Sequence, residues 1–368
     1  TAGGALGIIF ERSILSAMGN NGRLLELSSK YVIIYFAGAP FLSLTNYIIA
    51  ILRAEGDTKT PLFVMSGTGL LNVVLNLFFV LCADMSVDGV ALATTVSNAV
   101  SSVILLIHLS RDKGFCRLSL KKLKLDKTAF KNIVYIGLPA GIQGAIFAIS
   151  NMIIQSSIIK VNNMITPAEI GYQPVVKGNA ATANLESFAY TATNSVYQAS
   201  ITFTGQNMGA GKYKRIGAVM RNCYLITFFV AEISAGLFLL FKNPFLSLYG
   251  VVPGAAGSGE AIAYSTAVTR MLYMYPMYFL LAFMEVGSGV LRGLGKSLTS
   301  VSLIGSCLLR IVWIYTVFAA HTTLEIIYLS YPISWGLTSL IHFICCIAVR
   351  KKLLRGQSNE EENSPLSS

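Results

Sequence analysis

Charge is scarce in this chain. Of 368 residues only 12% are Asp, Glu, Lys or Arg, about half the roughly 25% of soluble domains. That shortage excludes an ordinary water-soluble fold. Histidine is scarcer still: His108, His321 and His342 lie far apart, which supports neither a metal site nor a catalytic dyad. No Ser/His/Asp set and no paired carboxylates stand at a useful spacing, so the chain is read as a non-enzyme. An integral-membrane enzyme would need such groups clustered near one face. Six cysteines (Cys82, Cys116, Cys223, Cys307, Cys345, Cys346) show no CxxC spacing and read as small buried hydrophobes. Thr1 opens no basic, cleavable leader, so no signal peptide is expected. The GLGKS of Gly293–Ser297 suggests a phosphate loop, but the glycine which that loop needs is replaced by Val290 and no strand precedes it. Nucleotide binding is therefore rejected.

What the chain has is apolar length: 54% of it is hydrophobic. Runs of roughly 20 residues, each long enough to cross a bilayer as a helix, are read near 31–52, 61–83, 87–109, 133–158, 179–204, 216–241, 268–291, 298–320 and 325–349. Thr1–Met18 reads as the tail of one more. The formal net charge of +11 does not point to nucleic acid, because the basic residues fall on alternate loops: Arg53/Lys59, Arg111–Lys131, Lys212–Arg221, Arg292/Lys296 and Arg350–Arg355. This is the positive-inside pattern, which predicts that those loops and the C-terminus face the cytoplasm. Leucines alternating with lysines from Leu118 to Leu125 fit either a segment lying on the membrane surface or a solvated linker. Gly356–Ser368 is polar and reads as disordered.

The chain also repeats itself. Ile51–Thr60 (ILRAEGDTKT) matches Val290–Thr299 (VLRGLGKSLT), and Leu70-Leu71-Asn72 parallels Leu308-Leu309-Arg310. Phe10–Gly19 (FERSILSAMG) echoes Phe241–Gly250 (FKNPFLSLYG). Two copies of one helical unit mark many transporters.

Polar residues inside apolar runs are the functional candidates. On 181–204, Leu185, Phe188, Ala189, Ala192, Val196, Ala199 and Phe203 share one face. Glu186, Ser187, Tyr190, Thr191, Asn194, Tyr197 and Gln198 share the other, which must face protein or a wet cavity. Gln143, Ser150, Asn151 and Gln155 either stitch helices or bind a solute, and Pro139 breaks or bends their helix. Tyr278, Glu285 and Arg292 form one stripe, with Arg310 the nearest cation for a structural pair with Glu285. Asn72 and Asn76 lie one turn apart and either stitch helices or line a cavity. Gly56 with Asp57, and Gly295 with Lys296, mark corresponding turns that serve as helix caps or as a cytoplasmic gate.

The segments ILRAEGDTKTP, IGLPAGIQGAIFAISNMIIQSSI, FTGQNMGAGKYKRI and GVLRGLGKS resemble the multidrug and toxic compound extrusion (MATE) family, from residue 1 to about residue 350. The resemblance implies an all-α polytopic membrane protein with two pseudo-symmetric helical lobes, about ten of an expected twelve transmembrane helices being present. By this alignment about two and a half helices of the family unit precede Thr1, including a position that often carries a carboxylate. The expected organisation is 1–110 as the remaining N-terminal lobe and 111–131 as a basic inter-lobe loop. It continues with 132–350 as a six-helix C-terminal lobe and 351–368 as a cytoplasmic tail.

The implied activity is antiport across the cytoplasmic membrane: small-molecule organic cations leave in exchange for Na⁺ or H⁺, by alternating access. Membrane lipids are the other partner; no cofactor, nucleic acid or nucleotide is implied. Glu186 is the first candidate for the coupled ion or substrate cation and Glu285 the second. Gln143, Asn151, Tyr190, Asn194, Gln198 and Tyr278 would line the cavity, with Gly56, Asp57 and Gly295 at the gate. A lipid-linked oligosaccharide flippase of the same fold and a non-functional fragment are the alternatives. The flippase would require a strongly cationic cavity, whereas the conspicuous mid-span charges here are acidic.

Overall fold

The computed structural model describes Gly7, Ile8, Arg12, 22–112, 117–119, Lys124, 126–296 and 302–362. The expected helix tail at Thr1–Met18, the Phe10–Gly19 motif, Cys116 and Ser297 lie wholly or largely outside these residues, as does most of the Leu118–Leu125 segment. All regular structure among the described residues is helical. Eleven α-helices are numbered here: α1 Gly22–Glu55, α2 Lys59–Leu77, α3 Val87–Arg111, α4 Lys127–Ile165, α5 Pro174–Gly209, α6 Tyr213–Leu240, α7 Lys242–Ser247, α8 Gly259–Met274, α9 Tyr278–Gly293, α10 Ser302–Trp313 and α11 Leu324–Glu362. Wider, five-residue-per-hydrogen-bond turns extend α2 (Phe78–Cys82) and α10 (Ile314–Phe318). The helices form two compact units, Thr1–Leu125 and Asp126–Ser368.

Seven helical segments are long and apolar enough to cross a membrane. Seven of the nine read spans fall on these segments. The span read at 298–320 does not: its described part, on α10 and the turn after it, holds only the shorter apolar helix Cys307–Phe318. Helix α5 is not among the seven, because its polar residues dilute its apolar character. The span read at 268–291 begins earlier, at Gly259, and runs to Gly293 through one short 3-10 turn at Tyr275–Met277. Pro276 sets that turn, since it has no N–H to give to the helix ladder. Pro139 does not break α4, which is continuous from Lys127 to Ile165. The tail read as disordered is helical through Glu362.

The first unit is knit by hydroxyls and small residues. Thr45 donates to the Asn98 carbonyl at 3.4 Å and Thr95 to that of Ile34 at 3.2 Å. Ser101 and Thr68 hydroxyls meet at 2.8 Å. Ile48, Leu52, Leu105 and Leu109 form its buried core. Asn76 donates to Asn72 at 3.0 Å and Asn72 to Thr94 at 3.5 Å, so these asparagines stitch α2 to α3.

The repeated motif folds into the same turn in both units. Gly56 (φ +99°) and Gly295 (φ +69°) adopt the left-handed conformation that an L side chain resists. Asp57 N–H reaches back to Leu52 O at 2.9 Å, and Lys296 N–H to Leu291 O at 2.9 Å. Each is the six-to-one closure that ends a helix at glycine. Asp57 then accepts from the N–H groups of Lys59 and Thr60, both at 3.0 Å, at the start of α2. The geometry of this turn is that of a cap on either side of the loop.

The second unit has the larger core, built on Ile154, Ile158, Leu185, Ala267, Met271, Tyr275, Tyr278 and Tyr328. Gly178 brings α5 against α8: a Cβ there would collide with the Ala263 carbonyl. Cys223, Cys307 and Cys346 are buried hydrophobes as read, whereas Cys82 is exposed.

Candidate functional site

Helices α4, α5, α8, α9, α10 and α11 enclose a cavity of about 700 Å³ within the second unit, a size typical of small-molecule sites. Its apolar wall includes Phe147, Ile154, Ile158, Leu281 and Trp335. Of the residues singled out in the sequence, Gln143, Asn151, Gln155, Glu186, Tyr190, Tyr278, Glu285 and Arg292 all line it. Asn194 and Gln198 do not; they bond to each other across one turn of α5 at 3.5 Å. Ser150 is buried and its hydroxyl lies 3.5 Å from the Cys307 carbonyl. Gly56, Asp57 and Gly295 sit at the two capping turns and are not among the residues that line the cavity.

The two-faced reading of α5 needs correction. Its buried stripe runs Gly178, Thr182, Leu185, Glu186, Ala189, Thr193, Tyr197, Ser200, Thr204, cutting across both assigned faces. Phe188 and Phe203 are exposed while Leu185 and Ala189 are buried. Small residues on that stripe allow close helix packing, which a hydrophobicity pattern alone does not register.

Glu186 does not stand alone. Arg270 of α8 donates to its carboxylate in a buried ion pair, and Arg270 donates its other terminal nitrogen to Asn179 at 2.6 Å. The Tyr328 hydroxyl is 3.4 Å from the same Asn179 oxygen. Tyr278 donates to the backbone carbonyl of Glu186 at 3.3 Å. The guanidinium lies over the rings of Tyr328 and Tyr331, 5.8 and 5.9 Å from their centroids. A charge this deep in an apolar helix bundle is tolerable only with a partner and hydrogen bonds, and Arg270 has both. Sequence reading misses Arg270 because a span beginning at residue 268 leaves the arginine near its rim. An arginine followed by MLYMY was the available signal.

Glu285 is different. Among the described residues its carboxylate has no ion pair, and it faces the cavity. The structural pair envisaged with Arg310 is not formed. Arg310 instead lies over the rings of Phe147 and Tyr331, with its guanidinium carbon 5.3 and 5.2 Å from the ring centroids. Arg292, the third member of the read stripe, donates to the Tyr197 hydroxyl and to Gln143 at 3.2 Å. The cavity therefore holds Arg270, Arg292 and Arg310 against Glu186 and Glu285. The expectation that acids dominate the mid-span charges is overturned: arginines from three separate helices converge where the sequence shows them scattered.

The MatE family model matches residues 2–78 and 139–316. The chain belongs to the MatE family. It is not an enzyme. The probable multidrug resistance protein YpnP of Bacillus subtilis is 26% identical over 80% of this chain and 70% of its own length. The probable multidrug resistance protein NorM of Thermotoga maritima is 24% identical over 75% of this chain and 56% of its own. YoeA of Bacillus subtilis, another probable multidrug resistance protein, is 25% identical over 66% of this chain; this chain spans about half, 52%, of YoeA. Among solved structures, the outward-facing conformation of a multidrug resistance MATE transporter superposes with TM-score 0.83 at 19% identity, covering 95% of this chain and 75% of that one. A MATE protein in the straight conformation gives TM-score 0.80 at 19% identity, covering 96% of this chain and 76% of that one. The fold is thus the all-α, polytopic membrane fold of these transporters.

Proposed function

We propose that this chain is the greater part of a secondary antiporter that exports amphiphilic organic compounds, cations among them, in exchange for Na⁺ or H⁺ by alternating access. The observation that carries this reading is Glu285: a carboxylate without an ion pair among the described residues, in a cavity of about 700 Å³ walled by aromatic and aliphatic side chains. Such a charge is costly when the chamber is empty and is relieved by a proton, a sodium ion or an organic cation. Competition among them for one carboxylate couples export to ion entry, because a ligand shifts the transport equilibrium only by its differential affinity for the two states. Glu186, already neutralised by Arg270, serves as the second acidic group and yields first place to Glu285. Tyr190 and Tyr278 supply aromatic surface for a cation, and Gln143 and Asn151 supply hydrogen bonds.

The chain sits in the cytoplasmic membrane with its basic loops and C-terminus on the cytoplasmic side, following the positive-inside pattern. The two units correspond to the two lobes, joined by the 111–131 segment. Gly56, Asp57 and Gly295 cap helices at the cytoplasmic rim, and support for a gating role rests on their equivalence in the two copies.

Ethidium binding to the purified chain and ethidium efflux from a pump-deficient host test this reading together. Glu285→Gln keeps the size of the side chain and removes its charge. It is expected to weaken ethidium binding and to abolish efflux driven by an ion gradient, with membrane insertion unchanged. Wild-type binding and efflux in Glu285→Gln would sink the assignment.

A further inference from the structure

Arg310 is 1% exposed and lines the cavity. Its Nε and one terminal nitrogen have no hydrogen-bond partner among the described residues. The other terminal nitrogen donates to the Cys307 sulfur at 3.6 Å. The guanidinium lies over the rings of Phe147 and Tyr331, the Tyr331 side chain also hydrogen-bonds to it, and two of its nitrogens still keep their donors unmade. Leaving donors of a buried charge unmade is expensive. The other two arginines of the chamber use both terminal nitrogens, Arg270 on Glu186 and Asn179, Arg292 on Tyr197 and Gln143, and leave only Nε without a partner among the described residues, so the free terminal nitrogen sets Arg310 apart. Once Arg270 and Glu186 cancel, two guanidiniums face the single carboxylate of Glu285.

A buried guanidinium with unsatisfied donors matches the paired oxygens of a carboxylate or phosphate. The wall beside it is apolar, from Phe147 and Trp335, and accommodates an acyl or aryl body. We propose that Arg310 is the centre of an oxyanion subsite in this chamber. The cargo class it selects is an amphiphile carrying a carboxylate or phosphate group, which lies apart from Glu285 so that a zwitterion satisfies both. This inference rests on the chamber being a solute-binding site, but not on export being ion-coupled.

The test is equilibrium binding to the purified full chain in a neutral maltoside detergent, read by the fluorescence of Trp335 in a Trp313→Phe background. The probes are octyl phosphate, octanoate, octyltrimethylammonium and inorganic phosphate. Octyl phosphate and octanoate are expected to bind, and Arg310→Gln to weaken both about tenfold or more, with Arg310→Lys intermediate because it keeps the charge and loses the fork. Octyltrimethylammonium should bind Arg310→Gln at least as well as wild type, which also reports that the variant is folded. Glu285→Gln should show the reverse pattern, binding octyl phosphate more tightly and the ammonium more weakly. Equal binding of octyl phosphate by wild type and Arg310→Gln overturns the subsite. Inorganic phosphate binding as tightly as octyl phosphate overturns the amphiphile and leaves a free-anion site. Failure of ion-driven ethidium efflux alongside Arg310-dependent octyl phosphate binding would refute the antiport reading and retain the subsite.

Discussion

Asn72 and Arg310 end the matching Leu-Leu triplets of the two copies, 16 and 15 residues after the capping glycines, and they have opposite fates. Asn72 is absorbed into a short polar ladder with Asn76 and Thr94. Arg310 lies over two aromatic rings and keeps two nitrogens without partners among the described residues. The difference extends over the whole of each unit. Among the described residues, the buried polar groups of the first are all hydroxyls: Ser29, Thr45, Thr68, Ser97, Ser101 and Ser102. Those of the second include Glu186, Arg270, Arg310, His342, Asn162 and Asn179. The two copies share the turn, while among the described residues the buried ionisable groups lie inside one of them. Hydroxyls can return a hydrogen bond to their own helix, so they tolerate any surroundings. Ionised groups cannot, and so they mark where a bundle has been built around a ligand or a partner charge.

The largest test of this contrast removes one half of the buried pair. Arg270→Met is expected to destabilise the protein by about 3–5 kcal/mol, the cost of stranding a buried carboxylate, read as a fall in melting temperature in detergent. Glu186→Gln combined with Arg270→Met should recover most of that loss. If the double variant is as unstable as the single, the ion pair is not the reason for the defect. A second variant makes the first unit resemble the second. Asn72→Arg puts a cation in α2, a helix that itself contains no Asp or Glu, and insertion should become less favourable by about 2.5–3.5 kcal/mol, read in a glycosylation-reporter assay. Unchanged insertion would mean that the first unit also hosts charge readily.

The shared turn should respond alike in both copies. Gly56→Ala and Gly295→Ala each place a methyl group at positive φ and should each cost about 1 kcal/mol; a cost confined to one copy would show that the turns are not equivalent in load. The smallest effect is a pH dependence present in only one turn. Burial of the Asp57 carboxyl opposes its ionisation, but hydrogen bonds from Thr60 and Lys59 and the nearby His108 outweigh it, so its pKa lies below the ordinary 3.8. A lowered folded-state value contributes stability above 3.8, and that contribution disappears as pH falls through the folded value. Asp57→Asn should therefore flatten the acid limb of the melting curve slightly. Lys296→Ala, at the corresponding cationic position, should leave that limb unchanged.

How much of this is legible in the sequence follows the same division. The apolar runs, the repeat and the paired capping turns depend on local sequence, and the helices follow them closely. Glu186, Glu285, Gln143 and Asn151 are visible because a polar residue in an apolar run is conspicuous by itself. Arg270 is not, since it sits near where an apolar run begins and its partner lies 84 residues away. Arg310 is visible but suggests the wrong neighbour: sequence proximity to Glu285 points to a pair, whereas tertiary packing gives the guanidinium to Phe147 and Tyr331. The buried face of α5 escapes for a related reason, because close packing selects small residues and not merely apolar ones.

The Glu186–Arg270 bond also constrains how the protein is made. Helix α5 emerges first with an acid in its middle and is itself too polar to count among the strongly apolar segments. Helix α6 and the short α7 follow before the arginine of α8 appears. Each charged helix released singly into lipid would bear the full penalty of an unpaired ion. Gly178 against Ala263 brings the two backbones close enough to neutralise one another. Biogenesis is thus expected to hold α5 at the insertion machinery until α8 arrives, so that about 90 residues of chain enter the bilayer as one event and not helix by helix.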